Sequence, residues 1–464
     1  MFEFRPQPLR IPTLLSFGMA LAVIISVSAL FFRAGTQMLQ VFTSIVWSLP
    51  IAASVLGLYS VYKLRRSRNI SVTQQLPQVR DLLIVEIPTI GRYDVLPALS
   101  RSVASFCAYL TYHFRNVRIE IIAEENAEAL GDIHDLAQKW PKLVQVIVVP
   151  RSYKTSNGTR FKARANHYAH EQRIRKGEAR DDVWVLHMDD DTGVHADTAY
   201  EIAAFIARQS QADNPKHLAQ GVLTYPLQYA VNKWTWLADS VRPADDVARF
   251  HLFTGGGNPI AGLHGELLLI RASVEAQIGW DFGPNAITED AQFALIFSRL
   301  FPGRSGWFPG RCYGASPATV RDFIKQRRRW SSGLFGLVLN RSILLRKRYL
   351  IAYCMLTWIL GPFQHVVTVL LVGFLLGNTN TSPIARPILV LWAVNLAYVV
   401  WMYWEGHRMN ASASGLTYPK FTQRVALLSL IPVFSLWEGI GGMLGVLDHL
   451  RKKAVVFTVI AKPT

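Results

Sequence analysis

The stretch "DVWVLHMDDDT" (182–192) places three consecutive carboxylates directly after a short apolar run. The run reads as a buried strand, and the acids mark its carboxyl end. Outward from it, "DLLIVEIPT" (81–89), "VRIEIIAEEN" (117–126) and "VQVIVVP" (144–150) read as three more strands. The first of these ends in a Pro-Thr turn and the second in acids. The intervening segments, such as Val95–Phe114 and Ala127–Trp140, carry helical patterns. Strands alternating with helices imply an α/β fold with a parallel, doubly wound sheet. Such sheets bind ligands beyond the carboxyl ends of their strands. Thr89, Glu124, Glu125 and Asp189–Asp191 collect there.

Three adjacent acids repel one another unless a cation relieves them. A solvated turn with a helix cap from Asp191 or Thr192 is the plainer reading. "MDDDT" holds more carboxylates than a cap needs, so a divalent-cation site is expected, with Mg²⁺ or Mn²⁺ suited to hard oxygen ligands. "AITEDAQ" (286–292) is explained by capping alone: Thr288 as N-cap, with Glu289 and Asp290 favouring the helix dipole. A carboxylate placed there is also able to act as a general base. "QRRRW" (326–330) offers guanidinium groups for phosphate oxygens and an indole face for a sugar. By itself it fits a lipid-headgroup anchor equally well. "TSNGTRFKARANHYA" (155–169) places Arg160, Lys162 and Arg164 beside an Asn-Gly, as a diphosphate clamp or a basic surface loop. "GGGNP" (255–259) lacks the spacing of a phosphate-binding glycine loop.

Half of the 464 residues are apolar and only 17% are charged, with a mean hydropathy of +0.19. The apolar residues cluster towards both ends. Ile11–Phe32, Met38–Tyr62, Tyr349–Leu376, Ile384–Trp404 and Val425–Leu450 are each long enough to span a bilayer. The first is too long for a signal peptide and is read as half of a retained hairpin. The expected organisation is an N-terminal transmembrane hairpin (1–62), a soluble domain (63–330), an amphipathic interface helix (331–348), C-terminal transmembrane or interfacial helices (349–450) and a basic tail (451–464). The net charge of +17 would suit nucleic acid. Many of the cations flank the apolar segments, however, so no nucleic-acid partner is expected. The positive-inside rule puts the soluble domain on the cytoplasmic side of an integral multi-pass protein. Three crossings after Arg348 would leave Arg451–Lys453 outside. Val425–Leu450, interrupted by Pro432, Glu438 and several glycines, is therefore expected to be broken, re-entrant or interfacial. The three cysteines form no metal or disulfide pattern.

Taken in order, a strand-end Asp-x-Asp, Thr-Glu-Asp, Gln-x-x-Arg-Trp and then apolar helices resembles the family 2 inverting glycosyltransferases. The likeness is closer to the egghead-type β-1,4-mannosyltransferases. It is carried by 153–169, "AQGVLTY" (219–225), "LADSVRPADD" (237–246), "ITED" (287–290), "DFIKQRRRWSSG" (322–333) and "FTVIAKP" (457–463). The strand-end acids are Asp-Asp-Asp where Asp-Glu-Glu is expected, and "FTGGGNPIAGLHGELLL" (253–269) matches poorly.

The resemblance implies a GT-A fold, a mixed α/β sheet in a cytosolic domain flanked by transmembrane helices. It implies transfer of mannose from GDP-mannose to a glucose-terminated lipid, with inversion. Asp290 would be the base, with Mg²⁺ or Mn²⁺ at Asp189 and Asp191. The donor would be held by Thr89, Arg92, Glu124, Glu125, Lys162, Arg164, Asp189, Gln326, Arg329 and Trp330. The acceptor would meet His264, Glu289 and Trp330. Arg327 or Arg328 would be left free for headgroups. A processive polysaccharide synthase using a UDP- or GDP-sugar is the alternative reading. A channel or transporter with a cytoplasmic domain ranks last, because the spans hold almost no charge apart from Glu438.

Overall fold

The computed structural model describes residues 7–31, 45–68, 79–377 and 386–451. Parts of the expected spans, Lys452, Lys453 and the 457–463 stretch lie outside these residues.

Helices α1 (Leu14–Phe31) and α2 (Ile51–Arg68) precede a seven-stranded sheet. Its strands are β1 (Val79–Thr89), β2 (Phe114–Glu124), β3 (Val144–Val149), β4 (Val183–His187), β5 (Leu218–Thr224), β6 (Leu268–Arg271) and β7 (Ser305–Tyr313). The spatial order is β3-β2-β1-β4-β6-β5-β7. The four strands read from sequence are present and mutually parallel. β6 runs antiparallel to both β4 and β5, which corrects the parallel sheet read from the strand pattern and agrees with the mixed sheet that the resemblance implies. The sheet is therefore mixed.

Alternation along β1 decides what each face does. Leu83, Val85 and Ile87 pack with Leu99, Val103 and Phe106 from α3 (Leu96–Tyr109). Ile84 packs on the other face with Val183, Val185 and Ala272. Fully burying each such side chain stabilises the fold by about 1.5–3 kcal/mol. Further helices are α4 (Leu130–Gln138), α5 (Phe161–Arg175), α6 (Ala196–Gln209), α7 (Ala272–Ile278) and α8 (Glu289–Leu300).

Three long helices follow α9 (Val320–Leu339): α10 (Leu345–Gly377), α11 (Arg386–Ala413) and α12 (Phe421–Leu450). The boundary expected after Trp330 falls inside α9. Beyond it, Ser331, Ser332, Gly333 and Leu337 are buried against neighbouring elements. The expectation that 425–450 is broken also needs correction, since α12 runs continuously through Pro432. Its glycines are contact points. A Cβ on Gly441 would lie 2.6 Å from Arg327 Cβ, and one on Gly445 would collide with the Arg328 carbonyl. Small residues let two helix backbones approach closely. Among the described residues, Ile45–Arg66 and Phe421–Leu450 are long and apolar enough to cross a membrane.

Candidate active site

The loop after β4, the start of α5, the loop before β6 and the first turn of α8 converge on one acidic cluster. Asp189 opens the loop after β4. Its backbone N–H meets the Thr192 hydroxyl, which donates back to the Asp189 carbonyl at 3.0 Å. Asp190 accepts from Thr89 Oγ1 at 2.8 Å, tying the ends of β1 and β4 together. Lys162, in the first turn of α5, pairs with Asp189 and donates to the Gly265 carbonyl at 3.2 Å. Glu266, beside Gly265, hydrogen-bonds Asp189 and lies within the fields of Lys162 and Asp191. A Cβ on Gly265 would sit 2.7 Å from Lys162 Nζ and 3.7 Å from Asp290 Oδ2. Glycine thus leaves open the space between ammonium and carboxylate.

Charge crowding shows in the acids. Burial, then the neighbouring Asp189, pushes the Glu266 carboxyl well above its ordinary range. Burial and the adjacent Asp290 push Glu289 up to about 7. Burial also raises Asp290, opposed by the Ala291 N–H and by Lys162. Asp290 Oδ1 accepts that N–H at 2.8 Å, so its own helix N-terminus orients it. Despite burial, Asp189 and Glu289 hold the Lys162 ammonium above its usual value. Thr288, expected as a side-chain cap, makes no capping bond. It packs instead where α9 approaches at Gly333.

The three arginines of "QRRRW" have three different fates. Arg327 is fully buried, paired with Asp239 and with Glu438 at 3.0 Å. Arg328 pairs with Asp448. Neither is free for headgroups, as had been expected, because α12 presents Glu438 and Asp448 to successive faces of α9. Arg329 faces the acidic cluster, within the fields of Glu289, Asp189, Asp290 and Glu266. Gln326 bonds Arg327. Trp330 carries Arg242 stacked 4.4 Å from its ring centre.

A cavity of about 390 Å³ opens beside Trp330. Asp290, His264 and Thr288 line one part of it. Ala53 and Gly57 of α2 and Tyr353, Trp358 and Gly361 of α10 line another. His264 is held there by Asp246, 2.5 Å from its Nε2, and by Gln220, whose Oε1 accepts the His264 N–H at 2.8 Å.

Other expected residues lie apart from the acidic cluster or satisfy one another. Arg92 pairs with Asp94, both partly exposed. Arg164 pairs with Glu124 and donates to the Pro150 carbonyl at 2.7 Å. Glu125 accepts the Arg151 N–H. Sequence reasoning missed Glu266, Asp246 and Gln220. The available signal was the unlike "LHGE" (263–266), where a histidine and an acid stand directly before an apolar strand.

Asp189 and Asp191, with Glu266 hydrogen-bonded to Asp189, offer only oxygen donors, the chemistry a hard divalent cation takes. Among the described residues, the one group with donor atoms within 4.8 Å of one another is Glu86, His187 and Glu275. Its chemistry fits a metal poorly, because Arg173 already pairs with Glu86 at 2.5 Å and Glu275 at 2.8 Å. The strand register brings this group together: Glu86 lies opposite Glu120 on β2 and His187 on β4.

Residues 184–404 match the glycosyl transferase family group 2. The matched stretch contains Asp189, Asp191, Glu266, Asp290 and Arg329, while Lys162 precedes it. The chain is 30% identical over 224 residues to "Beta-1,4-mannosyltransferase egh" of Drosophila melanogaster, covering 48% of this chain and 47% of the relative. It is 31% identical over 229 residues to "Beta-1,4-mannosyltransferase bre-3" of Caenorhabditis elegans, covering 48% of each. The match thus spans about half the length of these curated relatives. Among solved structures, it resembles "Mannosyltransferase PcManGT from Pyrobaculum calidifontis in complex with GDP-Man and Mn2+". The TM-score is 0.49 and the identity 11%, over 89% of this chain and 100% of the other. A likeness at that level carries no argument about activity.

Proposed function

We propose that the protein transfers mannose from GDP-mannose to a hydroxyl of a membrane-borne glycolipid, inverting the anomeric carbon to form a β-1,4 linkage. The observation that carries this reading is the position of Asp290. Its carboxylate stands between the acidic strand-end cluster on one side and the cavity reaching the apolar helices on the other. A base at that junction faces a donor held over the sheet and an acceptor entering from the bundle. Mannose as the sugar and the β-1,4 linkage are supported by the two curated relatives, and GDP-mannose as the donor and a GT-A fold by the egghead-type resemblance.

In this mechanism Asp290 takes the proton of the acceptor hydroxyl as it attacks, a role typically worth about 10²- to 10⁴-fold in rate. Lys162 and Arg329 place positive charge beside the departing diphosphate. When bound at Asp189 and Asp191, with Glu266 beside them, a divalent cation would supply further charge stabilisation for that leaving group. Trp330 offers an indole face to the acceptor sugar, and His264, fixed by Asp246, lies on the acceptor side of Asp290. A single displacement requires no covalent sugar on the enzyme. The cavity among α2, α10 and α11 and the two helices able to cross a membrane support an integral membrane protein with the sheet domain at the bilayer surface.

The test follows nucleoside diphosphate release by the full chain in detergent, from GDP-mannose and from UDP-glucose, with and without a glucosylated lipid. Lipid-dependent GDP release yielding a product one hexose larger, lost in Asp290→Asn, is the expected result. Release from the UDP-sugar with growing, high-mass product would overturn it in favour of polymer synthesis.

A further inference from the structure

The stretch "AQGVLTY" (219–225) helps to carry the resemblance, yet none of its residues acts in the mechanism above. Within it, Gln220 and Gly221 lie where β5 changes its pairing. The ladder with β6 ends at Gln220, opposite Leu268, and the ladder with β7 shifts register between Gln220 and Val222. Such irregularities are common beside active sites, where they re-aim a side chain. The side chain here is Gln220, which is 1% exposed.

One loop takes up the whole Gln220 amide. Nε2 donates to the Glu266 carbonyl at 2.9 Å and to the His264 carbonyl at 3.3 Å, while Oε1 accepts the His264 N–H at 2.8 Å. Turning the amide over would set its oxygen against two carbonyls, so the network fixes its orientation. The three residues it clamps face three parts of the site. His264 pairs with Asp246, the Gly265 carbonyl accepts from Lys162, and Glu266 hydrogen-bonds Asp189. The end of the loop is strained. Leu267, at φ 51°, stands in the left-handed region that bulky side chains avoid. The Gly221 N–H donates to the Leu267 carbonyl at 3.2 Å, and the Leu267 N–H meets Met188 Sδ. A Cβ on Gly221 would collide with the Leu267 side chain, so this approach requires glycine. Among the described residues, the other non-glycine residue in that region is Phe161, directly before Lys162. Strained backbone persists where its surroundings over-determine it, and it collects at functional sites.

We infer that Gln220 is a positioning residue whose buried amide holds Glu266 on the cation side and His264 on the acceptor side at one fixed spacing about Lys162. Being buried, it acts on both only through the loop. The inference rests on the transfer reaction proposed above, and it adds one residue on which both halves of the site depend.

The test compares the full chain with Gln220→Met in detergent, since methionine keeps the length of the side chain but lacks the amide. Electron paramagnetic resonance reads Mn²⁺ binding in the presence of GDP, and mannosyl transfer to a glucosylated lipid gives the acceptor KM. Gln220→Met should weaken Mn²⁺ binding about 10- to 100-fold, the usual effect of losing a group that orients a metal-binding side chain. It should raise the acceptor KM in the same protein. Glu266→Gln should reproduce the first loss and His264→Ala the second, each without the other. A melting temperature lowered in Gln220→Met, with both affinities at the wild-type value, would mean a merely structural role and overturn the inference. Gln220→Asn, whose shorter amide cannot reach both residues, takes its place if the methionine variant does not fold. If Mn²⁺ binding falls as stated but the wild type transfers no mannose, the functional reading fails and the positioning of Glu266 stands. If the wild type transfers mannose and the folded variants bind Mn²⁺ and acceptor as it does, the positioning role alone fails. A wild type that binds no Mn²⁺ overturns the inference outright.

Discussion

His187 and Asp189 are two residues apart, yet they belong to charged neighbourhoods built on opposite terms. Beneath the sheet, Glu86, Glu120 and Glu275 are fully buried but meet Arg173, Arg118 and His187. Against burial, Glu86 and Glu275 push the His187 imidazole up to about 9, so it is cationic at neutral pH. Despite burial, Arg173 and His187 hold Glu275 well below its usual range. Each of the three carboxylates has two cationic partners, although Arg118 is shared with Glu178. At the strand end, Asp189, Glu266, Glu289 and Asp290 face Lys162 and Arg329, with Asp191 in the field of Glu266, and Glu266, Glu289 and Asp290 are all raised. The first neighbourhood is complete within the chain. The second holds more carboxyl groups than cations, which is the condition of a site that receives a cation and a substrate.

Four experiments break or sharpen this contrast. Asp290→Asn should lower mannosyl transfer by about 10²- to 10⁴-fold. Its melting temperature should equal or exceed the wild type's, because the change removes a carboxylate from a crowded set. A large fall in stability would place Asp290 with the self-compensated group. Arg173→Met should do the reverse, destabilising the fold by about 3–5 kcal/mol because three carboxylates lose their central partner. Denaturant unfolding in detergent measures it, and a change below 1 kcal/mol would mean the network is not holding β1, β2 and β4 together.

Mn²⁺ with GDP should raise the wild-type melting temperature, by the equivalent of about 2.7 kcal/mol at one hundred times the dissociation constant. The rise should vanish in Asp191→Asn, whereas Glu275→Gln, if folded, should keep it. The smallest effects are those of pH. His187 is raised in the folded state, so its contribution is complete below about 6.5 and fades as pH climbs through about 9. Glu289 is raised to about 7, so the folded state holds its proton more tightly, and stability declines as pH rises from about 4.5 to 7. Glu289→Gln should therefore raise the melting temperature at pH 8 and leave it unchanged at pH 4.5. A scan of the two proteins across that range reads both slopes.

The sequence revealed one half of the sheet well and the other poorly. β1 to β4 are apolar runs closed by acids or turn residues, so burial and termination could both be read. β5 carries Gln220 and Gly221 inside the strand, β6 is four residues long, and β7 contains Pro309 and Gly310. Their pairing is decided by tertiary packing. The site divides in the same way. Asp189, Asp191, Asp290, Arg329 and Trp330 stood in recognisable local patterns. Glu266 reaches Asp189 only because β6 runs antiparallel beside β4, a relation that no local pattern encodes. Glu124 was read at a strand end and Arg164 in a basic loop, but their mutual pairing depends on how α5 lies over β2.

The close seating of α9 on α12 decides whether the sheet domain can be prepared as a fragment. A chain ended at Trp330 would lose Glu438, one of the two carboxylates on Arg327, and Asp448, the partner of Arg328. It would also expose the backbone strip that Gly441 and Gly445 cover, and would cut α9 in mid-helix. The sheet domain is therefore not a severable module. Any preparation meant to retain the geometry at Arg329 has to carry the chain through Asp448.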